Sequence, residues 1–302
     1  MNFGVHLYPF YRFPSFPSIV EYVRRAEGLG YSYVNIPEHS AFPVEQERTM
    51  GQVWWDPIVL AAHLADATKT IRLHFSILIL PQHNPFSLAK QLATLDHVSN
   101  GRIALGVGIG WLADEMRLMG ADFHQRAAVT EEYIKAIRAL WTTHPSAYQG
   151  RFLSFSDISS HPKPVQKPHP PIHVGGSLKT SPKRAALLGD GWVPTSGPQR
   201  DFEAGLKVVK ETLQANGRSM RGFAIERHLP LFDRNPEVEA HRLLSGGVRE
   251  ESLGGDHQRA IEHVRRYEEL GVTHMLVDLK AIDFPGTMRE LEEAADKVIH
   301  RL

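Results

Sequence analysis

The chain has no cysteine among its 302 residues. Disulfides, thiol nucleophiles and Cys-ligated zinc or iron–sulfur centres are excluded together. A net charge is missing too, because 34 Lys and Arg face 34 Asp and Glu. Binding to a phosphate backbone normally leaves a basic footprint, so nucleic acid is not an expected partner. No apolar run approaches the roughly 18 residues that cross a bilayer. The most apolar short stretch, 77–80, stops at Pro81. The N-terminus lacks the basic region of a signal peptide. A short strand-like run there leads directly to Pro9, Arg12 and Pro14. A cytoplasmic protein that makes no membrane contact is expected. The 17 histidines form no HxH or HExxH pattern, so no metal site is expected. Separated ligands at strand ends are the form in which a metal hydrolase would survive that test.

What is present is an alternation. Short apolar runs at 2–7, 33–36, 72–80, 102–107, 171–175, 191–194, 222–227 and 273–278 are separated by longer segments of helical period. Most of the runs are apolar on successive residues, the mark of parallel strands buried on both faces. Ile19, Tyr22, Val23, Ala26 and Leu29 keep one helical face, and Gly30 supplies the stop. Asp56-Pro57 and Ser181-Pro182 read as helix starts. Eight strands, each followed by a helix, predict a (β/α)8 TIM barrel. A doubly wound sheet is the competitor. Two irregular stretches interrupt the rhythm, 144–171 with six prolines and 229–256 with Gly246-Gly247 and Gly254-Gly255. Both are expected to be insertions on one barrel domain spanning 1–302, not further domains.

Chemistry in such a barrel sits where strands end. The second strand ends at Glu38-His39, and His39 is the leading catalytic candidate, with Glu38 beside it. The third strand holds Ser76, Ile77 and Leu78, the fourth ends in Gly106, Gly108 and Gly110, and the sixth ends in a segment containing Thr195. The fifth ends in Gly175-Gly176-Ser177 before a helix, where glycine lets backbone N–H groups approach a phosphate. A tight turn would also favour glycine there. The glycines after the fourth strand are not a dinucleotide fingerprint, since Trp111 breaks the spacing. Tyr8, Phe10, Tyr11, Phe13, Trp54, Trp55 and Trp111 are candidates for the walls of a pocket for a planar ligand. His161, His169 and His173 lie in or beside the proline-rich stretch and read as surface residues.

The ordered set Ala89-Lys90-Gln91-Leu92-Ala93-Thr94-Leu95-Asp96, Ser99-Asn100-Gly101-Arg102, Leu105 to Trp111, Glu115, Gly120, Arg126, Pro164 to Pro168, Gly175-Gly176 and Asp190-Gly191-Trp192 resembles the luciferase-like flavin monooxygenase superfamily. The resemblance is closest to its coenzyme F420-dependent branch. It implies an oxidoreductase that moves a hydride between the deazaflavin and a small organic substrate. FMN with oxygen chemistry and a partner reductase is the alternative, and a homodimer is expected. The resemblance also implies a bulged third strand with a cis peptide at Ser76–Ile77 behind the ring. Ser76, Ile77 and Leu78 would line that ring, with Gly108 and Gly110 letting it approach. The phosphate would lie on Gly175, Gly176 and Ser177, with Thr195 nearby. Lys179, Lys183 and Arg184 are candidates to attract phosphate or a polyglutamate tail. The acid here is Glu38 where F420 dehydrogenases carry Asp, and their fourth-strand Glu has no evident counterpart. Sugar-phosphate and alcohol dehydrogenation are therefore not expected.

Overall fold

The computed structural model describes residues 1–232 and 252–302. Eight parallel strands close into a barrel: β1 (Asn2–His6), β2 (Tyr33–Ile36), β3 (Arg72–Ile79), β4 (Ile103–Gly108), β7 (Ile172–Gly176), β8 (Gly191–Pro194), β9 (Ala224–Leu229) and β10 (His274–Val277). Around the ring the order is β1-β10-β9-β8-β7-β4-β3-β2, and β1 pairs with both β10 and β2. Closure leaves no unpaired strand edge within the barrel. The expected (β/α)8 architecture is therefore observed, and each anticipated strand lies within about two residues of its expected bounds.

Helices begin and end where local chemistry satisfies their free backbone groups. Asp56 Oδ1 accepts from Ile58 N at 3.0 Å and Val59 N at 2.8 Å, starting helix Pro57–Ala67. Asn84 caps Pro85–Val98 in the same way. Gly271, at φ +100°, ends His257–Leu270 in the left-handed region that glycine tolerates. Helix Phe16–Gly28 turns Ile19, Tyr22, Val23 and Ala26 to the core.

The stretch 144–171 differs from the irregular insertion expected of it. It carries an antiparallel pair outside the barrel, β5 (Ser146–Gln149) and β6 (Ser154–Ile158). Its turn is held by Glu132, whose carboxylate accepts from Arg151 N, Phe152 N and Leu153 N at 2.6–2.9 Å. Most of 229–256 lies outside the described residues. Several motif residues quoted above have structural work. The Asp96 carboxylate accepts from Gln166 N and Nε2 at 2.9 and 2.7 Å. The Arg102 guanidinium donates to the carbonyls of Ala65 and Ile71, and its Nε donates to Ser99 O.

The lower barrel interior is aromatic and uncharged. Tyr33 stacks on His74 at 4.6 Å, and His173 and His274 complete the layer with ring separations of 5.3–6.0 Å. Gly4 makes the room, since a Cβ there would overlap the Tyr33 ring. His173 is thus a buried barrel residue, which corrects its reading as a surface histidine. Burial pushes its pKa down to about 3 and that of His274 to about 4, so both rings are neutral near pH 7.

Higher up, the register of β3 against β4 shifts between Phe75 and Leu78. The Ser76–Ile77 peptide within this bulge is cis. Ile77 then occupies the space left by glycines on neighbouring strands. A Cβ on Gly108 would collide with Ile77 Cδ1, and one on Gly175 would sit 2.7 Å from Ile77 Cγ2. A Cβ on Gly106 would run into the Phe75 carbonyl oxygen, which cannot step aside as a side chain can. Gly106→Ala is accordingly expected to lower the free energy of unfolding by about 3 kcal/mol, the upper part of the overpacking range. Urea denaturation of the two proteins checks this, and an unchanged midpoint would mean that β3 relaxes freely.

Candidate active site

A cavity of about 460 Å³ opens at the C-terminal ends of the barrel strands. That lies within the range of small-molecule sites. Tyr8, Trp54 and Trp111 of the seven expected aromatics line it. Phe10 and Phe13 are buried in the core, and Tyr11 and Trp55 are among the exposed hydrophobics.

His39 follows β2 and lines the cavity while 7% exposed. Its Nδ1 lies 2.7 Å from Glu115 Oε2. The other carboxylate oxygen, Oε1, accepts from Ser40 N at 2.6 Å. Trp54 meets the imidazole edge-to-face at 4.7 Å. The ring is therefore held on its Nδ1 side by a fully buried carboxylate and packed roughly perpendicular to an indole. Glu115 was visible in the sequence only as part of the motif. Its pairing with His39 spans 76 positions, and no local pattern signals it.

Glu38 also lines the cavity, but its carboxylate is engaged elsewhere. Oε2 accepts from Ile79 N at 2.6 Å, and His83 Nε2 lies 2.9 Å from Oε1. Burial alone would lower the His83 pKa, yet the hydrogen bond and charge of Glu38 outweigh it and raise the value. Through these contacts Glu38 holds the end of β3 while still bordering the cavity. Ser76 and Ile77 line the cavity, whereas Leu78 is fully buried in the core and does not. Leu78 is therefore removed from the set facing a ring. Gly108 and Gly110 do line the cavity, but the packing they permit is against protein. Ile77 fills the space at Gly108, and Ile79 with Met116 crowds Gly110, whose φ is +79°.

Gly175, Gly176, Ser177 and Thr195 come together at the opposite side of the mouth from β1. Gly176 has φ +131°, and Thr195 N donates to its carbonyl at 3.0 Å. Ser177 Oγ accepts from Thr180 N at 3.2 Å and meets Thr180 Oγ1 at 2.8 Å. Helix Ser181–Leu188 starts immediately beyond, so its positive dipole end faces this loop. Of the three arginines in the cavity lining, two add charge near this loop. Arg184 pairs with Glu131 at 2.9 Å, and Arg126 lies over the Phe123 ring at 3.7 Å. A phosphate-bearing ligand fits these donors. Lys179 and Lys183 are exposed and lie outside the cavity lining.

Four polar lining residues on β9 and after β10, namely Glu226, His228, Asp278 and Lys280, carry no signal in the local sequence pattern. His228 Nδ1 lies 2.8 Å from Asp278 Oδ1, and both line the cavity. Glu226 lies deeper and accepts from Asn35 Nδ2 at 3.2 Å. Burial pushes the Glu226 pKa up to about 7. Among the described residues no group of three acidic or histidine side chains is arranged to hold a metal, and no helix is long and apolar enough to cross a membrane.

The chain belongs to the luciferase-like monooxygenase family, whose pattern it matches over residues 3–294. Members of that family are F420- or FMN-dependent oxidoreductases and monooxygenases. An uncharacterized protein of Mycobacterium tuberculosis, Rv0953c, is 35% identical over 208 residues, covering 65% of this chain and 73% of that one. An FMNH2-dependent dimethylsulfone monooxygenase of Pseudomonas putida is 30% identical over 193 residues, 63% of this chain and 52% of its own length. An F420-dependent glucose-6-phosphate dehydrogenase of Amycolatopsis mediterranei is 28% identical over 261 residues, 84% of this chain and 71% of the other. The crystal structure of monooxygenase RslO1 from Streptomyces bottropensis superposes with a TM-score of 0.79, covering 100% of this chain and 99% of that one at 23% identity, which shows the shared fold.

Glu226 makes a pH-dependent prediction. Its folded pKa of about 7 lies above the ordinary carboxyl value of 4.5, so the folded state holds a proton that the unfolded state releases. Its stabilising effect is complete below pH 4.5 and is lost as pH rises through 7. Glu226→Gln, which carries no such proton, is expected to gain stability over wild type by a few kcal/mol between pH 5 and pH 8. Urea unfolding of both proteins at the two pH values measures that difference. A difference independent of pH would mean that Glu226 is ionised throughout.

Proposed function

We propose that this chain is an F420-dependent oxidoreductase that moves a hydride between the deazaflavin and a small organic substrate in the barrel mouth. The observation that carries the choice is the basic phosphate end of the cavity. There the glycine loop after β7 and the helix start are joined by Arg126 and Arg184 in the lining and by exposed Lys179 and Lys183 beside them. A phosphate followed by an anionic tail suits that arrangement better than a phosphate alone. Support also comes from the F420-dependent relative, which matches 84% of the chain against 63% for the FMNH2-dependent one. The FMN alternative rests on the 30% identity to the latter. It would require a separate reductase. A homodimer and a cytoplasmic setting belong to the same proposal.

When bound, the cofactor supplies a carbon that gives or takes the hydride. The chain orients and encloses. Gly176, Ser177 and Thr180 offer backbone and hydroxyl groups to the phosphate. Ile77 presents an apolar surface from the β3 bulge for one face of the ring. Glu115 occupies the Nδ1 side of His39, so a proton that His39 exchanges with a ligand passes through Nε2. Trp54 and Trp111 shield that exchange from bulk water.

Titration of the purified protein with F420 and with FMN, oxidised and reduced, tests the proposal through intrinsic tryptophan fluorescence. Tight F420 binding with weak FMN binding is expected. Preference for reduced FMN would transfer the protein to oxygen chemistry, and binding of neither would remove the proposal. Gly176→Asp places bulk and negative charge at the phosphate and is expected to weaken the bound cofactor at least a hundredfold. His39→Ala is expected to reduce turnover at least tenfold with cofactor affinity retained. Glu115→Ala should reproduce the turnover loss only in part, because it disorients the imidazole without removing it.

A further inference from the structure

The barrel order places β1 diametrically across the ring from β7. The loop after β7 carries the phosphate donors, and the segment after β1 carries Arg12. Arg12 is 2% exposed and still lines the cavity. Its Nη2 donates one long hydrogen bond, 3.4 Å, to Leu279 O. Its Nε has no partner, and no carboxylate lies within 4 Å of the guanidinium among the described residues. Glu290 attracts it from a distance, but the Glu290 carboxylate accepts from Lys280 N and Ala281 N at 2.6 and 3.0 Å. Asp278 is engaged with His228. Lys280, beyond the end of the neighbouring strand β10, is 5% exposed and lines the same edge of the cavity. A buried guanidinium retained with a single weak bond is costly unless an anion completes it.

We propose that Arg12 and Lys280 form an anion subsite at the β1/β10 edge of the mouth, which receives a carboxylate or comparable oxyanion of the substrate. The proposal rests on the reading that the phosphate of a redox cofactor occupies the β7 side, leaving this edge to the second reactant. The substrate class is then a small organic acid. Its anionic group is held by the planar guanidinium fork, and the rest of the molecule extends inward past Tyr8 toward the ring.

Phenylacetate and phenylacetamide are nearly equal in shape and differ in charge, so their affinities for the wild-type protein read the subsite directly. Wild type is expected to bind phenylacetate at least tenfold more tightly, followed by ligand-observed NMR or tryptophan quenching. Arg12→Gln should bring the ratio close to one, Arg12→Lys should restore part of it, and Lys280→Met should reduce it at least threefold. Equal affinities in wild type overturn the proposal, as does an unchanged ratio in Arg12→Gln. Should Arg12→Gln not fold, an unchanged ratio in Lys280→Met overturns it. Cofactor affinity is measured in parallel. Weaker F420 or FMN binding by Arg12→Gln would assign the charge to the cofactor and overturn the substrate subsite. A wild-type protein that binds neither cofactor yet prefers phenylacetate would remove the proposed function and leave the subsite standing.

Discussion

The mouth of the barrel is built around one apolar side chain. Ile77 leaves the regular register of β3 and enters space that Gly108 on β4 and Gly175 on β7 leave empty. Gly106 admits the carbonyl of Phe75 in the same region. These contacts fix where β3 ends relative to β4 and β7. They therefore also fix where Ile79 N meets Glu38, and where the loop after β7 stands across from β1. A larger residue at any of the three glycines would displace a strand of a closed ring, and a closed ring has no free edge along which to yield.

Charge is graded along the barrel axis. The lower interior holds Tyr33, His74, His173 and His274 as uncharged rings, because burial disfavours the protonated imidazole. Glu226 sits above them and titrates near neutrality. At the mouth the cavity lining carries two separated cationic ends. Arg126 and Arg184 border the glycine loop, and Arg12 with Lys280 borders β1 and β10. The His39–Glu115 pair stands after β2, and the His228–Asp278 pair borders the β9/β10 side next to Lys280. A floor of buried, neutral rings under a charged rim raises the strength of each polar contact a ligand makes there.

Much of the fold was legible in advance. Continuous apolar runs such as 102–107 and 171–175 pointed to buried parallel strands, found at Ile103–Gly108 and Ile172–Gly176, and Asp56-Pro57 marked a helix start through its own backbone chemistry. The hairpin β5–β6 was not legible, because its strands are short and its turn is held by Glu132 from another helix. Strand ends likewise pointed to His39 and to Gly175, Gly176 and Ser177. Leu78, which the resemblance implied as a ring-lining residue, lies in the core, and His173, read as a surface residue from its place beside the prolines, is buried in the barrel. Position in a strand says that a residue is near the mouth or within the barrel wall, but not which neighbour claims its polar atoms or which side of the wall it faces.

The sequence alone determined the period of the elements, their order and the places where glycine permits close approach, since all three depend on residues within a few positions of each other. The tertiary structure alone decided who meets whom. Glu115 reaches His39 across 76 positions, Asn35 reaches Glu226 across 191, and Arg12 reaches Leu279 across 267. Each of those contacts exists only once the ring closes and brings distant strands side by side. Local patterning carries no information about that closure, because the same hydrophobic period is compatible with any order of strands.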